Sequence, residues 1–138
     1  MLTLLHIHKE MATALTSGIV ISVDCRYEQK FSNPSNRLFI FSYGIHIENK
    51  NTHPIKLLSR YWKISDSNTK KRIVEGEGVI GEQPSIEPGQ TYSYRSTCDL
   101  NTDTGKMKGY YIMKNLETND EFKVAIPEFL LMVPYRLN

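Results

Sequence analysis

Few residues in this chain are spaced for chemistry, and the glycines are the first to consider. Gly76-Glu77-Gly78-Val79-Ile80-Gly81 matches G-x-G-x-x-G. In a dinucleotide-binding domain such glycines allow a tight strand-to-helix turn, and the pyrophosphate rests on the helix N-terminus. The helix is not encoded here. Pro84 and Pro88 follow closely, and Ile86 is the only apolar residue between Gly81 and Gly89. Glu75, Glu77 and Glu82 would also repel a phosphate. Without its context the motif is weak, so the three glycines are expected to shape an inter-strand loop with positive φ. A Gly-rich loop on a rigid scaffold is still a reasonable binding surface.

Other chemistry is thinner. Glu75, Glu77, Glu82 and Glu87 offer the oxygen ligands that Mg²⁺ and Ca²⁺ prefer, but their spacing fits no cation loop. The histidines, His6, His8, His46 and His53, are not clustered as a zinc site requires. His46 alternates outward on an expected strand, and His53 lies in a turn. No G-x-S-x-G elbow is present, and neither Cys25 nor Cys98 has a neighbour that would activate its thiol. A triad could be assembled only from residues distant in sequence. Thr104-Gly105-Lys106-Met107-Lys108-Gly109 reads as a compact, exposed hairpin loop whose lysines could meet an acidic partner or a phosphate. The candidate partner or ligand surface is therefore Gly76, Glu77, Gly78, Val79 and Gly81 with Lys106 and Lys108. No catalytic, metal or cofactor-binding residue is assigned.

The elements that must position these residues are strands. Ile19, Ile21, Val23, Cys25 and Tyr27 recur at period two, with Ser22, Asp24 and Arg26 opposite. Phe39, Phe41, Tyr43, Ile45 and Ile47 repeat the pattern against Ser42, His46 and Glu48. Leu58, Trp62 and Ile64 continue it, with Arg60 interrupting the apolar face. Tyr92 with Tyr94, Tyr110 with Ile112, Phe122 with Val124 and Ile126, and Phe129 with Leu131, Val133 and Tyr135 follow the same rule. Period two marks half-buried strands. Turn residues at Asn33-Pro34, Asn49 to Asn51, Asp66 to Asn68, Pro88-Gly89 and Asn119-Asp120 separate them. Seven to eight antiparallel strands in one all-β sandwich are expected. Pro127 and Pro134 cannot donate to a ladder, so the last strand should lie at an edge or carry a bulge.

Composition narrows the function classes. At 138 residues the chain is the size of one domain, and 40% hydrophobic residues suit a packed core. Seventeen Lys plus Arg against fifteen Asp plus Glu give a net charge of +2, too balanced for a nucleic-acid or anionic-membrane surface. Two cysteines are too few for a disulfide framework, so both are read as buried thiols in a reducing compartment. The longest apolar run, Phe129 to Val133, is too short to span a bilayer. His6 interrupts Leu2, Leu4 and Leu5, with no basic residue before them, which makes a poor signal peptide. A soluble, cytoplasmic protein is expected. Met11 opens a second plausible start. Residues 1–11 are accordingly read as a disordered N-terminal extension, and residues 12–138 as the domain.

Five segments together resemble the ApaG family. They are Phe41-Ser42-Tyr43-Gly44-Ile45-His46-Ile47-Glu48-Asn49, Ser59 to Ser67, Val74 to Ser96, Thr102 to Tyr111 and Ile126 to Pro134. Thr97 stands where the family often has glycine. The resemblance implies an immunoglobulin or fibronectin type III-like sandwich. It also implies small stand-alone bacterial proteins, often encoded beside a diadenosine tetraphosphate hydrolase and given a cobalt/magnesium-efflux label. Similar eukaryotic domains are attached to F-box and polymerase-interacting proteins, where recognition of proteins is their role. The family's glycine motif falls on Gly76, Gly78 and Gly81, and brings no established catalytic residue. The leading expectation is a non-enzymatic module that binds a protein partner, with any link to metal resistance indirect. The alternative is a sensor of phosphate compounds or of Mg²⁺ or Co²⁺, and the third reading is an enzyme acting on phosphoanhydrides. Unpaired strand edges leave room for a homodimer.

Overall fold

Alternating apolar residues leave one face of a sheet uncovered unless a second layer packs on it. In the computed structural model, which describes residues 10–68 and 70–134, a second antiparallel sheet supplies that cover. The described residues form nine strands: β1 Glu10–Thr16, β2 Ile19–Tyr27, β3 Phe39–Asn49, β4 Ile55–Asp66, β5 Lys71–Glu77, β6 Ser85–Ile86, β7 Thr91–Leu100, β8 Thr104–Asn115 and β9 Glu121–Met132. One sheet has the order β1-β2-β3-β7; the other runs β5-β4-β8-β9, with β6 added to β4. The links β3–β4, β6–β7 and β7–β8 pass between sheets, the wiring of an immunoglobulin-like sandwich. Two 3-10 turns, Gln29–Phe31 and Pro34–Asn36, join β2 to β3.

Nine strands exceed the seven to eight expected. The extra ones are the least patterned: β1 carries Met11 and Leu15 exposed, and β6 is two residues in a proline-flanked loop. Pairing begins at Glu10 opposite Cys25, so residues 10 and 11, assigned to the extension, belong to the first strand. Residues 1–9, with His6 and His8, and Tyr135 fall outside the described residues.

The core lies between the sheets. Ile21, Phe41, Ile45 and Ile47 face Leu57, Trp62, Met113 and Leu131, all essentially buried. Full burial of each such side chain stabilises the fold by about 1.5–3 kcal/mol. At its centre Tyr43, Trp62 and Phe129 pack with ring centroids 5.5–5.9 Å apart. Near the open side, where β7 and β5 are the two edge strands, the Tyr94 and Tyr111 hydroxyls meet at 2.5 Å across the sheets.

Two phases differ from the sequence reading. In β4 the register slips between Leu57 and Ser59, so Leu58 is a bulge residue and Ile55 and Leu57 are buried in its place. In β8, Tyr111 and Met113 are buried while Tyr110 and Ile112 face outward. That run is apolar on both faces, so alternation does not choose between them. The Pro127 expectation is met twice: β9 is an edge strand, and it bulges where Met107 pairs with Phe129 but Gly109 with Ile126.

Candidate functional site

The glycine motif folds as a clasp with no helix. Gly76 lies in β5, in extended backbone rather than at the positive φ expected of it. Its missing side chain makes room for Arg60, whose guanidinium crosses it to donate to the carbonyls of Glu77 (3.0 Å) and Gly78 (2.9 Å). Gly78 does need its freedom: φ is +58, and a Cβ there would overlap the Glu82 carbonyl oxygen. Its N–H donates to the bulged Leu58 carbonyl, which also accepts from Gln83 Nε2. Val79 and Glu82 then exchange both backbone hydrogen bonds (2.8 and 2.9 Å), closing a two-residue turn with Ile80 at φ +48 and Gly81 at φ +75. Positive φ at both central residues makes this a type I′ turn. Val79 is buried as its anchor, whereas Ile80 projects into solvent, 61% exposed.

Lys106 and Lys108 are not on a hairpin loop. Residues Thr104 to Gly109 open β8, with Met107 buried between the two outward lysines. Gly109 gives no turn here: a Cβ would strike the Tyr61 carbonyl oxygen of β4. Lys106 pairs with Glu128 at 3.7 Å. Both lysines lie on the outer face of this sheet, where the chain also brings Glu75 and Glu77.

That face holds residues that the sequence reading passed over. Tyr61 and Tyr110 are register partners whose rings stack at 4.8 Å and 13°. Lys123 sets its ammonium 4.1 Å from the centre of the Tyr110 ring, a cation–π contact. On one flank lies a depression of about 250 Å³ that includes Lys63, Lys108 and Ile126. On the other lies one of about 330 Å³ that includes Glu75, Gly76, Glu77 and Ile112. An aromatic ridge therefore separates a hollow bearing Lys63, Lys108 and Glu128 from one bearing Glu75, Glu77 and the Arg60 guanidinium. Tyr61 is hidden in the sequence because the Leu58 bulge sets its phase, and Tyr110 because its neighbour Tyr111 is equally apolar.

The outer face of the other sheet assembles a second constellation from distant residues. Asp24 of β2 is buried although its strand position faces outward. Its Oδ1 accepts from Arg95 of β7 and its Oδ2 contacts His46 Nε2 of β3, both at 2.9 Å. His46 Nδ1 lies 2.8 Å from Ser93 Oγ. Gly44 stands between β2 and β7 because a Cβ would collide with the Arg95–Asp24 pair passing over it. A proton on Nε2 facing the carboxylate leaves Nδ1 to accept from the Ser93 hydroxyl in the neutral ring.

Both cysteines are buried and carry no disulfide. Burial pushes the Cys98 thiol up to about 11, so it is no nucleophile near neutrality. Among the described residues no group of three His, Cys, Asp or Glu is placed to hold a metal ion. No helix among them is long and apolar enough to cross a membrane.

Strand order, bulged β4 and the Arg60 clasp define an all-β sandwich with a glycine-shaped turn at one end. Residues 29–115 match the ApaG domain family. The chain belongs to that family, as the five segments imply. Protein ApaG of Brucella canis is 40% identical over 124 residues, covering 90% of this chain and 95% of that protein. Protein ApaG of Agrobacterium fabrum is 41% identical over the same shares. A crystal structure of an ApaA protein from Bordetella pertussis superposes with a TM-score of 0.82 at 40% identity, covering 84% of this chain and 94% of that one. An X-ray structure from a structural genomics consortium gives a TM-score of 0.83 at 37% identity, covering 91% and 94%.

Proposed function

We propose that this chain is a binding module that recognises another protein through the outer face of β4 and β8, beside the Val79–Glu82 turn. The stacked Tyr61–Tyr110 pair, with two lysines in the hollow on one flank and two glutamates in the hollow on the other, carries this reading. Aromatic side chains are enriched at the cores of protein interfaces, where they bury much area at little entropy cost. The charge pattern selects an extended segment with an apolar side chain over the tyrosines. Its acidic residue would meet Lys63 and Lys108, and its basic residue would meet Glu75 and Glu77. In this reading the protein acts in the cytoplasm, and any link to cobalt or magnesium resistance runs through the partner. Affinity capture with wild type and with Tyr61→Ser plus Tyr110→Ser is the test, with thermal unfolding of both as the folding control. Loss of the specific partners from a folded variant is expected; an unchanged set overturns the assignment.

The Asp24–His46–Ser93 chain favours a second reading, a serine-dependent hydrolytic activity. Ser93 Oγ would bond to the acyl carbon or phosphorus of an activated ester while His46 Nδ1 takes its proton and returns it to the leaving group. A fluorophosphonate probe reads this directly. Labelling abolished by Ser93→Ala supports it, and an unlabelled wild type removes it.

A further inference from the structure

The open edge of β5 carries an inference that is independent of the tyrosine face. β5 is the terminal strand of its sheet, and all of its residues except Gly76 are exposed. Its backbone polarity can be read from the hairpin it forms with β4. Asp66 N–H donates to the Lys70 carbonyl, and Gly78 N–H to the Leu58 carbonyl. Antiparallel ladders alternate, so residues 72, 74 and 76 turn their backbone groups toward β4. Residues 71, 73, 75 and 77 point theirs to the outside. Arg60 reaches that outer side only at the Glu77 carbonyl, which keeps a second lone pair. Such an edge is a template for another strand.

The sequence of that edge, Lys71-Arg72-Ile73-Val74-Glu75-Gly76-Glu77, complements itself when reversed. A two-fold axis at Val74 sets Lys71 opposite Glu77 of a second copy, twice by symmetry, and Ile73 opposite Glu75. Every outward-pointing residue then meets an outward-pointing one. Centring the axis on Ile73 would pair only five residues and leave Glu77 outside. Opposite charges directly across a ladder are favourable, and Ile73, 47% exposed, gains a diagonal contact with its own symmetry mate. We propose that β5 pairs antiparallel with β5 of a second copy of this chain, joining two four-stranded paths into one eight-stranded sheet. A contact of one strand per side is smaller than a standard interface, so the dimer is weak and concentration-dependent.

Sedimentation between micromolar and millimolar chain concentration should show the monomer–dimer equilibrium; a monomer throughout overturns the proposal. Lys71→Glu is expected to weaken association at least tenfold, and adding Glu77→Lys to the same chain should restore it. Failure of that rescue in a folded double variant rejects the register. Glu75→Pro should keep the fold, because the Glu75 N–H points away from β4, and abolish dimerisation. Val74→Cys places two thiols on the axis in a narrow pair, close enough for a disulfide. It should cross-link far faster than Thr91→Cys, an exposed site on β7. Equal rates would also overturn the pairing.

Discussion

Ile80 is a β-branched residue held at φ +48 with most of its surface in water. Left-handed backbone costs a non-glycine residue roughly 1–2 kcal/mol, and no burial of Ile80 offsets it. Ile80→Asn should therefore stabilise the chain by roughly 1 kcal/mol in urea unfolding, since Asn tolerates this region. If the side chain is kept for contact, the same variant will bind its partner less tightly. The neighbouring glycines separate two effects. Gly81→Ala meets open space and suffers only from φ +75, a loss of roughly 1 kcal/mol. Gly78→Ala adds a clash with the Glu82 backbone and should lose about 3 kcal/mol, near the upper range for enforced backbone strain. Cys98 supplies a pH dependence. Burial raises its thiol from 9.0 to about 11, so the folded chain holds that proton more tightly than the unfolded one. The stabilisation is complete below pH 9 and is lost as pH rises toward 11, by about 1.4 kcal/mol per unit. Cys98→Val should flatten that part of the stability profile relative to wild type. Tyr94 and Tyr111, also raised by burial, act alike in both chains, whereas Tyr43, raised first by burial and then in part by Cys98 itself, adds to the difference between them.

Arg60 does an element's work. It lies on the side of β4 that carries Trp62, and it ties the end of β5 to the turn through two carbonyls. Arg60→Met keeps the stem and removes both bonds. Hydrogen exchange at residues 76–82 should accelerate at least tenfold, with stability lower by about 2 kcal/mol; unchanged exchange would mean the turn closes without it. The strands themselves are written plainly in the sequence. Where period two has polar residues on one side, as in β2 and β3, strand and phase both follow from it. Phase fails at Leu58, because a bulge adds a residue without a mark in composition, and at Tyr110-Tyr111-Ile112-Met113, where both faces are apolar. The tyrosine ridge depends on those two places, so it could not be read from one dimension. The lysines of β8 read as a loop for a related reason: glycines that make room for a neighbouring strand look like turn glycines. Asp24 is a third case, since its burial comes from Arg95 and His46, far along the chain.

For the whole molecule, three crossings between sheets mean that almost no part of the core closes locally. Such non-local topologies fold on the millisecond-to-second scale, and stopped-flow refolding should show its fastest phase in that range rather than in microseconds. The dimer would add a continuous surface, with both tyrosine ridges on a single sheet. One buried side chain holds several of these segments together. Asn49, at the end of β3, donates through Nδ2 to the carbonyls of His53 and Ile86, both at 2.9 Å, and accepts through Oδ1 from the Asn51 N–H. Its own backbone closes on Gln90 and Gly89. Both donated bonds come from a single –NH₂ group, the one an ageing asparagine loses when it deamidates. An aspartate at 49 would turn an oxygen toward two carbonyls in a closed interior, which costs far more than the two bonds lost. Native packing shields this amide from hydrolysis and exposure after unfolding does not, so each unfolding episode risks a chemical scar that prevents refolding. At this position the amide is therefore protected for as long as the fold stays closed.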